Sequence, residues 1–431
     1  MHRPPRRRSP RERWRAGLLG APEGRDYRRL WVGDGLTGAS VEVTGLLVPL
    51  LAVGVLQASP LEMGLLEAAQ TLAFLLVGLP AGAWVDRWRK RSVLLWSNLL
   101  RGGALLLLPL AWALDVLSLP LVLVVAALVG VGSVFFDVAS QSYLPSLVPA
   151  RHLAEGNAKL QVLASLAQVA GPALGGLLAR LLGAPLALLA AGATFLVAVA
   201  GPASIAHREE PAPREPGRTL RAEVAEGLAF VVHRPLLRRI VATTSASNAF
   251  GAITSALLVL YAVRELGLTE AQVGLAFSVG AVGGLAGALV AEKVTAWAGE
   301  GRTIAWSLVP ALPALALLPL ASGRETATAL VMVSVSGAVG GVGIVVYNVA
   351  QVTFRQRLCP RPLLGRMNAS VRFVVWGVMP VGAFLGGVLG EQVGLVAALW
   401  ISVAGQALGV LPVLLSPLAR SRDLPGVGEG P

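Results

Sequence analysis

The chain has 431 residues, of which 55% are hydrophobic and only 14% are charged, and its mean hydropathy is +0.69. A soluble protein could not cover so apolar a composition with a polar surface, so the sequence predicts an integral membrane protein. The formal charge of +12 does not indicate nucleic-acid binding, because the arginines alternate with apolar stretches instead of clustering on one soluble face.

Twelve apolar stretches are long enough to cross a hydrocarbon core of about 30 Å. Very short connections, at 115–118 and around Gly183, predict antiparallel helical hairpins. The sequence therefore predicts an all-α membrane protein with twelve transmembrane helices. The predicted spans are 30–56, 61–84, 92–114, 119–141, 157–182, 184–206, 239–262, 270–292, 303–321, 326–350, 368–390 and 394–415.

Lysine and arginine are distributed unevenly between the two sides of these spans. Of the 36 such residues, 31 fall in the tails and in the loops on one side. Arg180, Arg264 and Arg324 fall on the other side, and Arg101 and Arg372 lie inside spans. By the positive-inside rule, we expect both termini to be cytoplasmic and the protein to lie in the plasma membrane, the cell inner membrane of a bacterium.

Two polar tails flank the predicted spans, and a polar linker divides these spans into two groups of six. Residues 1–26 form a basic tail without a convincing cleavage site, which we expect to stay near anionic lipid. A charged, proline-containing linker covers 207–237, and 418–431 form a second cytoplasmic tail. Apolar residues spaced through 219–233 suit either an amphipathic helix on the membrane surface or a solvated helical linker. The predicted bundles are 27–206 and 238–417.

The two groups of spans match each other at an offset of 211 residues without a gap. A duplicated chain of apolar segments is typical of a membrane transporter with two pseudo-symmetric halves. Matched pairs include Gly130 with Gly341, Pro149 with Pro360, Asn157 with Asn368, Gly175 with Gly386 and Gly176 with Gly387.

The loop after the second span carries an unusual pattern of charge. Its residues include Gly82, Asp86, Arg87, Lys90 and Arg91. This pattern resembles the G-x-x-x-D-R-x-G-R-[RK] loop of the major facilitator superfamily, although Arg89 replaces the second glycine. The resemblance implies that Gly82 packs closely, that Asp86 faces a helix N-terminus and that the basic residues pair with acids when the inner gate closes. A plain positive-inside anchor is the alternative interpretation.

A second pattern lies in the fifth predicted span, at Gly171, Pro172, Gly175 and Gly176. It is similar to the G-P-x-x-G-G antiporter motif of exporters in that superfamily, although Ala167 replaces one upstream glycine. Residues 135–176 and 415–425 resemble the branch that contains siderophore and drug efflux proteins. The resemblance implies a monomeric secondary transporter that exports small amphiphilic molecules in exchange for protons. The proline would bend the helix, and the glycines would accept a close neighbour.

Three charged residues within spans are candidates for proton coupling, because a charge in hydrocarbon is costly unless it is paired or neutralised. Counting 1.5 Å per residue puts Glu42 about 18 Å, Glu67 roughly 21 Å and Arg101 about 14 Å from the inner surface. We therefore expect one buried cluster. Glu42 would take up a proton outside and release it inside, with a fixed ion pair as the alternative and Arg101 as a static counter-charge.

Two further acids lie closer to the inner ends of spans. Asp34 is one to two turns into the first predicted span, and Asp137 is near the end of the fourth. We expect each to pair with a loop arginine, Arg87 or Arg91, as a latch of the inner gate.

Neutral polar side chains within spans are candidates for substrate binding. Hydrogen bonds between helices are the alternative role for each of them. The candidates are Gln161, Gln168, Asn248, Tyr347 and Asn348.

No catalytic, metal-binding or nucleotide-binding pattern is visible. The four histidines fall outside the spans, Cys359 has no nearby partner, and no G-x-x-x-x-G-K-[ST] sequence is present. The sequence therefore predicts a transporter without an enzymatic site, cofactor or metal. Uptake or facilitated diffusion of a small solute is the alternative within transport. A non-transporting membrane receptor or scaffold is the alternative outside it.

Overall fold

The computed structural model describes residues 24–149, 152–207, 209, 226, 228–360 and 363–422. Within these ranges the secondary structure is helical, and no strand occurs. Most of the predicted basic tail, most of the predicted linker, and the C-terminal tail beyond residue 422 lie outside the described residues. Of the segment predicted as an amphipathic helix, residues 226 and 228–232 are described and are helical.

Eleven helical segments among the described residues are long and apolar enough to cross a membrane. The second predicted span is divided into two shorter helices. Together these segments give an all-α, multi-pass architecture. Numbered by span, the helices are Arg25–Gly54 (1), Pro60–Leu76 and Gly78–Arg87 (2), Lys90–Ala113 (3), Leu119–Leu147 (4), Leu153–Leu182 (5), Ala184–Ala198 and Ala200–Ala203 (6), Pro235–Arg264 (7), Glu270–Ala298 (8), Glu300–Trp306 and Ala311–Leu320 (9), Thr326–Leu358 (10), Leu364–Gly377 and Met379–Val393 (11) and Leu395–Leu414 (12).

Prolines explain where the broken spans are interrupted. Span 2 breaks at Val77, three residues before Pro80, and span 11 breaks at Val378, two residues before Pro380. A proline has no amide hydrogen for the carbonyl four residues earlier, and its ring clashes with that carbonyl. In spans 2 and 11 the helix therefore ends shortly before the proline and restarts around it.

The internal duplication extends to the helix boundaries. Shifting span 5 by 211 residues places it on 364–393, which are the outer bounds of span 11. The interruptions do not repeat, because span 2 is broken where span 8 is continuous and span 11 is broken where span 5 is continuous. The two halves are therefore pseudo-symmetric in position and differ in their local helix breaks.

The halves meet most closely at one end. We call the end that carries residues 24, 87–91 and 422 the basic end, and the opposite end, which carries residues 54–60, the far end. Near the far end a Cβ on Gly64 would lie 2.6 Å from the Cα of Gly387, and a Cβ on Gly176 would lie 3.1 Å from the Cα of Gly274. Glycine permits this backbone contact, which closes the far end between spans 2 and 11 and between spans 5 and 8.

Candidate functional site

A large cavity of about 820 Å³ lies against the first half. Residues of spans 1 to 5 line it, and Leu144 and Asn157 extend it toward the basic end. A second cavity of about 580 Å³ lies between the halves, and its wall from spans 8 to 10 is apolar or glycine-rich. Glu42, Gln161 and Gln168 line both cavities, so the two adjoin each other. Each of them is large enough for a drug-sized ligand.

Arg101 of span 3 is the centre of a polar network beside the large cavity. Its side chain is only 1% exposed, and its guanidinium lies 4.5 Å from the Phe136 ring centre and 4.8 Å from that of Phe195. One guanidinium nitrogen, Nη2, donates a hydrogen bond to Oδ1 of Asn98 at 2.6 Å, and Asn98 donates to Thr37 of span 1. These contacts hold the buried cation in one place.

Two carboxylates accompany this guanidinium. Asp137 and Asp34 are the acids whose charges act on Arg101, and Asp34 also accepts a hydrogen bond from Ser140 at 2.9 Å. Counting the helical rise from the basic end places Asp34 at about 14 Å, Asp137 at about 15 Å and Arg101 at about 17 Å. The three side chains therefore form a charged layer at one depth.

The structure divides the predicted cluster of Glu42, Glu67 and Arg101. Span 1 begins at Arg25, five residues before the predicted boundary. Glu42 therefore lies about 26 Å from the basic end, farther from that end than the charged layer. Glu67 accepts a hydrogen bond from Ser255 of span 7 at 3.0 Å, which links the two halves. Arg101 remains buried as expected, but with different acids beside it.

Glu42 lies where the two cavities adjoin. Among the described residues it has no hydrogen-bond or ion-pair partner, and its side chain is partly accessible from the cavities. A Cβ on Gly171 would lie 2.4 Å from the Cβ of Glu42. The first glycine of the span 5 motif therefore gives Glu42 the room that it occupies.

The other motif residues join span 5 to its neighbours. The helix continues through Pro172 without a break, and the next amide, that of Ala173, donates to Ser278 of span 8 at 3.0 Å. Gly175 packs against the backbone of Val43 in span 1, and Gly176 packs against span 8. The motif thus contributes to the contact between the halves.

The predicted gating loop departs from expectation at Gly82. A Cβ there would meet no atom within 4 Å, so close packing does not explain this glycine. Asp86 lies in the last turn of a helix, but its side chain is outside the described part of the structure, and Arg87 is exposed. Gly82 instead lines a narrow crevice between spans 2, 4 and 11.

The basic residues after Gly82 bind within their own half. The amides of Lys90 and Arg91 donate to the carboxylate of Glu209 at 2.5 and 2.9 Å, which caps the start of span 3. The guanidinium of Arg91 donates to the carbonyls of Pro202 and Ala203 at the end of span 6. This loop is therefore fixed to the segment that follows span 6.

The predicted latch is not formed. Within the described ranges, neither Asp34 nor Asp137 makes an ion pair with Arg87 or Arg91. Both acids lie one or more turns deeper than the loop, in the charged layer around Arg101.

The neutral candidates separate into two groups. Gln161 and Gln168 line the cavities. Asn248 donates to the carbonyl of Val375 in span 11 at 2.6 Å, so it links two helices of the second half. Asn248 does not belong to the lining of either cavity.

Tyr347 also links helices. Its hydroxyl lies 2.8 Å from that of Thr244 and donates to the carbonyl of Ile240 in span 7 at 3.2 Å. Asn348 is exposed and accepts a hydrogen bond from Gln351. Neither belongs to the lining of the two cavities.

Several polar residues that line the cavities were missing from the prediction, and three of them have an unpartnered polar atom. Thr44 and Gln70 line the large cavity, Ser336 lines the second, and each has a buried side-chain atom without a hydrogen-bond partner. A buried polar atom without a partner is costly. Each is a polar residue within an apolar span, but hydropathy does not show which way it points.

No group of three or more His, Cys, Asp or Glu side chains among the described residues could hold a metal ion. Cys359 is buried after the end of span 10, and desolvation raises the pKa of its thiol. A raised pKa disfavours the reactive thiolate at neutral pH.

Two pseudo-symmetric helical halves that touch at one end and enclose a polar cavity toward the other define a membrane transporter. The sequence profile of the Major Facilitator Superfamily matches residues 30–382. The chain belongs to this superfamily and is a secondary transporter.

Characterised relatives and solved structures agree with this assignment. Multidrug efflux pump Tap of Mycolicibacterium fortuitum is 28% identical over 382 residues, covering 85% of this chain and 90% of that protein. Multidrug efflux pump Tap of Mycobacterium tuberculosis (strain ATCC 25618 / H37Rv) is 26% identical over 389 residues, covering 84% and 87%.

Among solved structures, a bacterial homologue of the iron transporter ferroportin, in an inward-facing state, has a TM-score of 0.72 at 20% identity and covers 91% of this chain and 98% of its own. The nucleoside transporter NupG has a TM-score of 0.75 at 11% identity and covers 90% and 99%. These two similarities show a shared fold.

Proposed function

We propose that this transporter exports small amphiphilic compounds from the cytoplasm in exchange for protons. The observation that carries the proposal is the unequal lining of the cavity. Its first-half wall presents Asp34, Glu42 and Asp137, whereas the facing wall of the second half is uncharged and mostly apolar, with hydroxyl groups at Thr254 and Ser336. Relatives that are named multidrug efflux pumps and cover most of the chain support the same direction of transport.

This lining favours compounds that combine a cationic group with an apolar or aromatic body. The acids of the first half would attract the cation, and Arg101 offsets only part of their charge. The apolar wall would accept the rest of the molecule with little demand for precise hydrogen bonds. Such a site would tolerate a range of molecular shapes, as a multidrug exporter requires.

Glu42 is the best-placed candidate for proton coupling. It has no fixed partner among the described residues and lines both cavities. In the cycle that we propose, Glu42 binds a proton when the far end is open and releases it when the basic end is open. The proton and the cationic substrate thus use the same acidic wall on alternate half-cycles. Glu67, held by Ser255 of the other half, would instead support the contact near the far end.

The proposed direction requires the basic end to face the cytoplasm. The excess of arginine and lysine at that end supports this orientation in the plasma membrane, with both termini inside. The closed far end and the cavity toward the basic end then represent an inward-open state. Alternating access would rock 27–206 against 238–417, with 207–237 as the linker, and a single chain would contain the complete pathway.

Transport into everted membrane vesicles tests the proposal. Vesicles that contain the protein, and matched vesicles without it, would be acidified inside and supplied with the fluorescent cation ethidium. We expect accumulation that requires the protein and collapses when an ionophore removes the pH gradient. Equilibration that ignores the gradient would indicate facilitated diffusion and contradict antiport. Absence of flux for ethidium and a panel of other amphiphiles would favour a receptor or scaffold.

A further inference from the structure

The start of span 2 lies directly on span 11 of the other half at the far end. A Cβ on Gly387 would lie 3.0 Å from the carbonyl oxygens of Pro60 and Leu61, and a Cβ on Gly390 would lie 2.9 Å from the Cβ of Pro60. These glycines bring the first turn of span 2 against the backbone of span 11. Opening of the far end would therefore separate the two helices at this point.

The backbone amides in the first turn of span 2 need partners, because no preceding turn accepts hydrogen bonds from them. Ser59 and Glu62 form a capping box, in which the Ser59 amide donates to the Glu62 carboxylate at 2.7 Å and the Glu62 amide donates to the Ser59 hydroxyl at 3.3 Å. Pro60 has no amide hydrogen, and the Met63 amide donates to the carbonyl of Ser59. The amide of Leu61 remains, and it has no partner among the described residues of its own half.

Glu391 of span 11 supplies the partner for this amide. Its Oε2 accepts a hydrogen bond from the Leu61 amide at 3.3 Å. A carboxylate is favoured at a helix N-terminus, where the free amides carry partial positive charge. Span 2 is therefore capped partly by its own half and partly by the opposite half.

The other close contact at the far end, between spans 5 and 8, lacks such a cap. Shifting Glu391 back by 211 residues gives Arg180, whose guanidinium cannot accept a hydrogen bond. Span 8 begins with a capping box of Thr269 and Gln272, and none of the described side chains of span 5 accepts a hydrogen bond from its first turn. The charged cap thus occurs at one of two pseudo-equivalent contacts, so the shared packing does not require it.

The location of Glu391 suits a hydrogen bond that forms and breaks repeatedly. Its side chain is exposed at the rim of the far end. Water can therefore replace the Leu61 amide at the carboxylate when the halves separate, and no buried charge is left without a partner. Such a bond favours the closed far end without preventing it from opening.

We propose that Glu391 is a positioning residue that holds the far end closed by capping span 2 across the two halves. This inference rests on the alternating access of the proposed function, and it assumes neither the coupling ion nor the substrate. The hydrogen bond is present when the far end is closed, as in this structure, and it breaks each time that the far end opens. Glu391 thus increases the fraction of molecules whose cavity is open toward the basic end.

Distances between pairs of nitroxide spin labels test this role in the purified full-length protein in nanodiscs. Val116→Cys and Arg324→Cys, in a Cys359→Ser background, place labels on exposed far-end positions of opposite halves. A second pair, Ser146→Cys and Gln356→Cys, labels exposed positions near the basic end. The first pair reports opening of the far end, and the second reports closing of the basic end.

Replacement of Glu391 should favour the open far end. We expect Glu391→Leu to raise the ratio of open to closed far ends about three- to tenfold, with the reverse shift at the basic end. Glu391→Gln keeps an acceptor but loses the charge, so it should raise the ratio less. Glu265→Gln is the matched control, because Glu265 is exposed at the same end but accepts its hydrogen bond from Ser322 of its own half. It should leave both distances unchanged.

Three results would overturn the role of Glu391. They are an unchanged ratio in Glu391→Leu, an equal rise in Glu265→Gln, and broader distances at both ends without a reciprocal shift, which would indicate local unfolding of span 2. A far end that stays closed in every variant would contradict alternating access as well. Reciprocal shifts in a protein that does not accumulate ethidium with a pH gradient would contradict proton-coupled export and leave the role of Glu391 intact.

Discussion

The two halves of the transporter share their packing residues but not their charges. Helix boundaries repeat at 211 residues, and Gly176 and Gly387 occupy equivalent places, each against the backbone of the opposite half. The interior charges of the first half are replaced in the second by uncharged residues. The replacements are Asp34 by Ser245, Glu42 by Ile253, Arg101 by Leu312 and Asp137 by Asn348.

This contrast indicates that packing and chemistry were under different constraints after duplication. Close helix contacts require a small residue in both copies, since the same backbones meet in each. A buried charge is costly wherever it occurs, so one charged wall is sufficient if the other wall binds the apolar part of a substrate. Substitutions of the charged residues and of the small packing residues should therefore have different effects on transport.

The largest effect is expected when the charged layer is made to resemble the second half. Arg101→Leu introduces the residue found at the equivalent position, Leu312. Removing a buried cation from beside two carboxylates costs about 3–5 kcal/mol, so we expect transport to be lost and the melting temperature to fall. Vesicle transport and thermal unfolding in detergent measure these effects. Arg180→Leu, an exposed arginine near the far end, is the control. Wild-type transport by Arg101→Leu would show that the layer is dispensable.

The next largest effect concerns Glu42. Glu42→Gln keeps the shape of the side chain, but the amide cannot bind and release a proton as a carboxylate does. We therefore expect accumulation driven by a pH gradient to fall about tenfold or more. Exchange of substrate in the absence of a gradient should continue, because the cavity is retained. Glu325→Gln, at an exposed helix start where the side chain makes no capping bond, is the control. If both variants accumulate substrate equally, Glu42 is not the coupling group.

We expect alanine substitutions at the two shared glycines, Gly176 and Gly387, to slow transport equally. A Cβ at Gly176 would lie 2.3 Å from the carbonyl oxygen of Glu270, and one at Gly387 would lie 2.9 Å from the Cα of Gly64. Overpacking of this kind costs about 1–3 kcal/mol, which would destabilise the closed far end. Gly176→Ala and Gly387→Ala should each slow transport by about fivefold or more. Gly103→Ala, at an exposed position of span 3 where a Cβ would meet no atom within 4 Å, should not. A defect in only one of the two variants would contradict the equivalence of the halves at this contact.

The smallest effect concerns the capped loop of the first half. Glu209 accepts hydrogen bonds from the amides of Lys90 and Arg91 at the start of span 3. Loss of a helix cap typically costs about 1 kcal/mol, so Glu209→Gln should lower the melting temperature slightly and leave substrate affinity unchanged. Thermal unfolding and ethidium binding are the two measurements. A large loss of affinity would mean that this loop participates in the site.

The prediction that Gly82 packs closely was wrong, because this residue faces open space. The pairing of Asp137 with Arg91 in a closed inner gate stays a prediction, since the basic end is open here and Asp137 lies in the layer around Arg101. Neighbouring positions on a helix differ in direction by about 100°. A shift of one residue in a boundary, or a break such as that at Val77, therefore changes both the depth and the direction of every side chain beyond it.

Composition and pattern along the chain were enough to predict the membrane class, the approximate positions of the spans, the duplication and the superfamily. Span length is imposed by the thickness of the bilayer, and a helix in lipid satisfies its own backbone, so these features can be read from local composition. The directions of individual side chains were visible only in the folded protein, where Gln161 and Gln168 face a cavity while Asn248 and Tyr347 link helices. Those outcomes depend on how each helix is rotated against neighbours that are distant in sequence, and hydropathy contains no record of that rotation.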